Sequence, residues 1–320
     1  MNPSAIKREF IRKFAQEKEL TDFQKKRLTI EITSIRTDYE LGLRFIEYIN
    51  KNQTDIEAFI NTLDSESKNE MKTILMNLEF ISTHTSIETI QKFILREDEV
   101  FAQFNTIESI KNKYNLPLDM YEESIFKYKH GLKYVPQDIL HTLNNKDFLD
   151  CGAYIGESAL IFEKEYNPNK IYSFEPLPEN YNFLLENIKL NNLEKIIPIA
   201  KGVGEKSSTV NFHSLGISSS ISENGNAEIE LTSIDEFVNE RNLSVGLIKM
   251  DIEGYELEAL KGAKRTIKKF KPVLLIGIYH NPEELFEAKK YIQDMIHDYE
   301  FKIKHLADLR PLAEVHLIAW

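Results

Sequence analysis

Through roughly the first 125 residues, apolar side chains recur at steps of three and four. The series are Ile6, Phe10 and Phe14; Ile56, Phe59, Ile60 and Leu63; and Met71, Ile74, Leu75 and Leu78. That period lays an apolar stripe along a helix, and the Glu, Lys and Gln between the stripes supply a wet face. Helix starts are predicted at Thr54–Glu57, Thr85–Glu88 and Asn105–Glu108, where an oxygen-bearing residue stands three before a Glu. Cap and Glu can then each satisfy an exposed N–H. Residues 1–125 are expected to form an all-α domain, 126–146 a connecting segment, and 147–320 a second domain. Pro117, Gly131 and Pro136 punctuate the join.

From Asp147 the pattern changes. Short β-rich apolar runs occur at Asp147–Cys151, Lys170–Phe174, Ile196–Ala200, Gly246–Met250, Val273–Ile278, Phe301–His305 and Val315–Ala319. Between them lie helical patterns at Glu157–Lys164, Glu179–Leu190, Glu256–Phe270 and Pro282–Asp298. This alternation predicts an α/β fold with a doubly wound, mostly parallel sheet. No helical pattern separates the last two runs, so they are expected to close the sheet as an antiparallel hairpin. Ser214–Asn226, rich in Ser, Gly and Asn, is the expected mobile loop.

Composition sharpens the division. Only Gly42 and Gly131 of the 12 glycines fall within residues 1–140. The 42% hydrophobic fraction suffices for a core and excludes wholesale disorder. Cys151 is the one cysteine, so no internal disulfide is available. The N-terminus shows no signal-peptide pattern and no run approaches a membrane span, so a soluble, cytoplasmic protein is expected. A net charge of −11 argues against nucleic-acid partners. The basic cluster Lys261, Lys264, Arg265, Lys268, Lys269 and Lys271 reads as a solvated helix end.

Candidate chemistry gathers at strand ends. Phe148–Ser158 runs from a strand through Gly152 into a helix, with Gly156 placed for close helix–sheet packing. Tyr154 stands where a dinucleotide fingerprint has its second glycine, which favours a ligand without a pyrophosphate at that point. Glu175 ends the next strand, 23 residues beyond Gly152, where an acid can accept ribose hydroxyls. Ile248–Gly254 sets Asp251 and Glu253 at the end of another strand. A lone glycine turn is also an ordinary connection, and either acid could cap a helix. The conjunction in this order points to a nucleotide crevice.

The segment from Tyr134 to Trp320 resembles the FkbM family of S-adenosylmethionine-dependent methyltransferases. The resemblance rests on Phe148–Ser158, Tyr172–Pro176 with Glu179-Asn180, Leu184–Asn191, Leu231–Asp235, Ile248–Gly254 and Leu257–Ala263. It implies a Rossmann-like methyltransferase sheet and S-adenosylmethionine as cofactor. It also implies cofactor contacts from Asp150, Gly152, Ala153, Tyr154, Gly156, Ser158, Glu175, Pro176, Gly202, Val203 and Asp251. Many relatives carry Asn where Tyr154 stands.

Methyl transfer to a hydroxyl needs in-line positioning and a group to take the proton. Asp251, Glu253 and His280 are the candidates for that work, with His213 a further candidate acceptor contact. Asp251 and Glu253 could instead hold a cation. Without a third ligand in view, no metal site is assigned. The expected activity is O-methylation of a sugar, a glycan or another small natural product. A dinucleotide-dependent oxidoreductase and a catalytically silent binding protein are the rivals. The helical half is open to service as a lid, a docking module or the dimerisation surface of a homo-oligomer.

Overall fold

The computed structural model describes residues 20–94, 97–118, 121–213, 220–221, 227–307 and 309–320. The stripe at Ile6, Phe10 and Phe14 lies outside the described residues, as does most of the expected loop Ser214–Asn226. Helices come first: α1 (Asp22–Lys51), α2 (Gln53–Asn61), α3 (Ser65–Thr83), α4 (Ser86–Ile94) and α5 (Glu97–Lys113). Then follow α6 (Glu123–Tyr128), a tight turn segment Lys129–Tyr134 and α7 (Gln137–Thr142).

Of the three predicted helix starts, one is made as expected. The Thr85 N–H donates to Glu88 Oε2 at 2.7 Å and the Glu88 N–H to Thr85 Oγ1 at 3.3 Å. Thr54 lies inside α2, and Asn105 sits mid-way along α5. Phe104, Ile107 and Ile110 are all buried there, so the apolar stripe carries the helix through its apparent cap.

The second half builds β1 (Asp147–Cys151), α8 (Glu157–Glu165), β2 (Ile171–Phe174), α9 (Pro178–Leu190) and β3 (Ile196–Ile199). A small excursion follows: β4 (Gly202–Val203), β5 (Ser208–His213), β6 (Ser220–Ile221) and β7 (Ala227–Thr232). Then come α10 (Ile234–Arg241), β8 (Val245–Met250), α11 (Glu256–Gly262), α12 (Lys264–Phe270), β9 (Val273–Gly277), α13 (Pro282–Met295), β10 (Phe301–His305) and β11 (Val315–Ala319). Seven strands form one sheet in the order β10-β11-β9-β8-β1-β2-β3. The pairs β9–β8, β8–β1, β1–β2 and β2–β3 are parallel. β11 is antiparallel to both neighbours, so the expected closing hairpin is present and its second strand is inserted inside the edge. The predicted helix Glu256–Phe270 is two helices. Gly262 lies so close to the Gly204 carbonyl that a Cβ there would stand 2.1 Å from its oxygen.

The small sheet, order β4-β7-β5-β6, is not foreseen from the sequence pattern. Its strands are short or interrupted by polar, glycine-bearing chain, which hides the period-two signal.

The helical half does not stand apart. Phe45, Met71, Ile74 and Leu78 share one apolar cluster with Leu274, Ile276, Ile303 and Leu317 of the sheet. Ser67 Oγ accepts the Ile303 N–H of edge strand β10 at 2.9 Å, covering an otherwise unpaired donor. Arg310 forks onto Asp38 at 2.6 and 3.1 Å. Among the described residues no helix is long and apolar enough to cross a membrane. In the basic cluster, Lys261, Arg265 and Lys271 pair with Glu258, Asp235 and Asp298.

Because the core is shared, Leu78→Ala should cost about 2–5 kcal/mol. Helix-sensitive and near-ultraviolet signals should move together in a thermal melt. Helices melting alone, with the sheet transition unmoved, would contradict the shared core.

Candidate functional site

Parallel strands direct their carboxyl ends to one edge of the sheet, and the antiparallel β11 begins at that same edge. Along it stand Glu314 before β11, Tyr279 after β9, Asp251 after β8, Gly152 after β1 and Glu175 after β2. A cavity of about 200 Å³ opens there. The small sheet supplies an apolar wall from Val203, Ile229 and Leu231, and the helical half contributes Glu122 and Ile125.

The glycine turn is built against β8. Gly152 has φ +79°, and a Cβ on it would stand 1.9 Å from the Asp251 carbonyl oxygen. The glycine is therefore required first by the contact of two strand ends. The neighbouring Lys249 is buried, donates to the Gly152 carbonyl at 2.5 Å and lies 3.5 Å from Asp150. Burial opposes its charge, but Asp150 and Asp251 outweigh that and hold its pKa above the ordinary value.

Glu175 faces the turn. Its Oε2 accepts the Tyr154 N–H at 2.9 Å; Oε1 accepts the Leu177 N–H at 3.0 Å. Burial nevertheless pushes its pKa up to about 7. Tyr154 is left-handed at φ +48°, a conformation that Asn tolerates better than Tyr.

Most of the sequence-predicted residues converge. Gly152, Ala153, Tyr154, Ser158, Glu175 and Pro176 border the cavity, as do Gly202, Val203, Asp251 and Glu253. Asp150, Gly156 and His280 do not. Asp150 is fully buried below the cavity, accepting Ser158 Oγ at 2.8 Å and Ser173 Oγ at 3.2 Å. Gly156 lets α8 approach α9, its missing Cβ lying 2.7 Å from Leu184 Cδ1. His213 ends β5, and its side chain lies outside the described residues.

His280 sits behind the acids, with Nε2 3.4 Å from Asp251 and 3.9 Å from Glu253, and Nδ1 3.2 Å from Glu256. Burial alone would lower its pKa; Glu256, Glu253 and Asp251 outweigh burial and hold it well above the usual imidazole range. Glu256 also shapes the loop, its two oxygens accepting the Ile252 and Gly254 N–H groups at 2.6 and 3.0 Å. Glu253 is left-handed at φ +61°, and its side chain, 46% exposed, stands at the open side of the cavity.

Sequence reasoning missed Glu122, Glu157, Lys249, Tyr279 and Glu314. Tyr279 donates its hydroxyl toward Asp251 and Glu314, each at 3.1 Å. Lys249 carried one readable signal, a lysine inside an apolar central strand. Glu122 lies in a segment with no pattern linking it to a strand end, whereas Glu314 directly precedes the predicted strand Val315–Ala319, whose antiparallel direction starts it at this edge.

Residues 150–303 match the family model described as the methyltransferase FkbM domain. The hexuronic acid methyltransferase AglP of Haloferax volcanii is 30% identical over 124 residues, covering 37% of this chain and 50% of that protein. The methyltransferase sdnD of Sordaria araneosa is 28% identical over 178 residues, covering 44% of this chain and 69% of that protein. The chain thus spans half the length of the first of these relatives. A crystal structure of a methyltransferase FkbM from Methylobacillus flagellatus superposes with a TM-score of 0.58 at 22% identity, over 86% of this chain and 60% of that one. At that identity the likeness concerns the fold, and it takes in helices as well as the sheet. Residues 150–303, just under half of this chain, thus resemble a methyltransferase FkbM domain in sequence.

Proposed function

We propose that the chain is an S-adenosylmethionine-dependent methyltransferase acting on a hydroxyl of a sugar, a glycan or another small natural product. One observation carries the cofactor part. Six carboxyl groups, Glu122, Glu157, Glu175, Asp251, Glu253 and Glu314, border the cavity against the single ammonium of Lys249. That lining suits a ligand bearing a sulfonium and an ammonium, and it opposes the pyrophosphate of a dinucleotide. Glu175 is placed to accept ribose hydroxyls, and Val203, Ile229 and Leu231 offer an apolar wall for a base. When bound, the cofactor supplies a methyl group on a positively charged sulfur, already activated for displacement.

The chain's own work is then positioning and proton handling. Glu253, a carboxylate on the cavity border that solvent also reaches, is assigned as the group that takes the acceptor's proton. His280, held protonated, is ill suited to that task and instead fixes Asp251 and Glu253 as a positioning residue. A sugar acceptor is favoured by the similarity to a hexuronic acid methyltransferase.

Calorimetric titration with S-adenosylhomocysteine should give saturable 1:1 binding, and NAD should give none. NAD binding alone would replace this reading with an oxidoreductase. Glu175→Gln should weaken the homocysteine compound by about 1.5–3 kcal/mol, while any Gly152 substitution would confound binding with folding. If Glu175 must be ionised, its pKa of about 7 makes binding about tenfold tighter at pH 8 than at pH 6. The same carboxyl binds protons more tightly folded than unfolded, so the stability it contributes is present in acid and lost as pH rises through 7. A flat binding profile would count against the ribose role. Glu253→Gln should retain cofactor binding yet lose about 10²–10⁴-fold in turnover; undiminished turnover would remove it as the base.

A further inference from the structure

Beside the cavity, and sharing Asp251 with it, lie two histidines that methyl transfer does not call upon. One ring nitrogen each from His130 and His316 and one Asp251 oxygen all lie within 4.8 Å of one another. Both histidines are fully buried, and their rings meet edge to face at 4.6 Å. Neither nitrogen of His130 has a hydrogen-bond partner, nor has Nδ1 of His316. Burying an unpaired polar atom is costly, so three such atoms at one spot ask for a shared partner. The backbone presents His130 at a further cost, with φ +52° followed by Gly131 at φ +101°.

The surroundings resemble the outer shell of a metal centre. His316 Nε2 lies 3.2 Å from Glu314 Oε2, the carboxylate–histidine arrangement that leaves Nδ1 free to ligate. Glu314 is itself fixed by the hydroxyls of Ser124 at 3.0 Å and Tyr279 at 3.1 Å. By contrast, the other group with ligand-like spacing, Asp251, Glu256 and His280, has its Glu256 oxygens occupied by backbone donors.

We propose that His130, His316 and Asp251 form a binding site for a divalent transition-metal ion. Two imidazoles and one carboxylate select borderline ions such as Zn²⁺, Co²⁺ or Fe²⁺ over Mg²⁺ and Ca²⁺. Ligand atoms around such an ion stand about 3.4 Å apart in tetrahedral geometry, so side-chain rotations of about an ångström close the site. The ion would join three distant segments: the turn after α6, the loop after β8 and the start of β11. The proposal shares Asp251 with the methyltransferase reading but needs no cofactor, so metal uptake and cofactor binding can fail separately.

The test uses the full chain, stripped with chelator and titrated with Co²⁺ and then Zn²⁺ without any nucleoside. One equivalent of Co²⁺ should bind with visible d–d absorption and a rise in melting temperature, and a millimolar excess of Mg²⁺ should not displace it. X-ray absorption on the Zn²⁺-loaded wild type should show two imidazoles, a readout independent of any variant's folding. His130→Gln and His316→Gln should lose the stoichiometric site, and Glu314→Gln should weaken it at least about tenfold. His141→Gln, exposed on α7 before β1, should keep it. No saturable uptake by the wild type, fewer than two imidazoles, or loss in His141→Gln with retention in His130→Gln would each overturn the proposal.

Discussion

The structure hangs on the contact between the ends of β1 and β8. At Gly152 the two backbones approach so closely that no side chain fits, and Lys249 ties the turn down from beneath. This one approach presents the Tyr154 N–H to Glu175, turns Asp251 and Glu253 toward the same space, and leaves a cavity where a wider gap would leave a slot. The arrangement is electrostatically costly. A buried ammonium is matched by Asp150, and the carboxyls of Glu157 and Glu175 are kept partly protonated by burial. A cationic ligand relieves that strain, so the site's composition and the bound molecule's charge are two sides of one constraint.

Much of this was legible in the chain because each parallel strand announces its own end. A run such as Phe148–Cys151 followed by glycine, or Ile248–Met250 followed by two acids, carries the strand, its direction and its terminal chemistry in a few adjacent residues. Parallel topology then brings the ends together without further information. Asp150 shows where such reading fails. It lies in the motif, but its carboxylate turns to Ser158 and Ser173 under the sheet, a matter of side-chain direction that spacing alone does not reveal.

What was not legible arrives from elsewhere in the chain. Glu122 and His130 reach the site from turns outside any recognisable motif, and only tertiary packing makes them neighbours of Asp251. The small sheet was equally hidden, because two-residue strands such as Gly202–Val203 hold no period. The boundary between helices and sheet was drawn from composition, yet Phe45 and Leu78 pack into the same cluster as Leu274 and Leu317. Glycine content tracks secondary structure, whereas the shared core reflects which apolar faces find each other.

The bond from Ile303 to Ser67 spans 236 residues. On the ribosome, α3 emerges long before the edge strand it must cover, so its apolar face waits in solution through synthesis of nearly the whole sheet. Contacts of such separation slow folding and expose partly made chains to aggregation. Expression yield, more than the stability of the finished molecule, should therefore respond to chaperone supply and to the pace of translation.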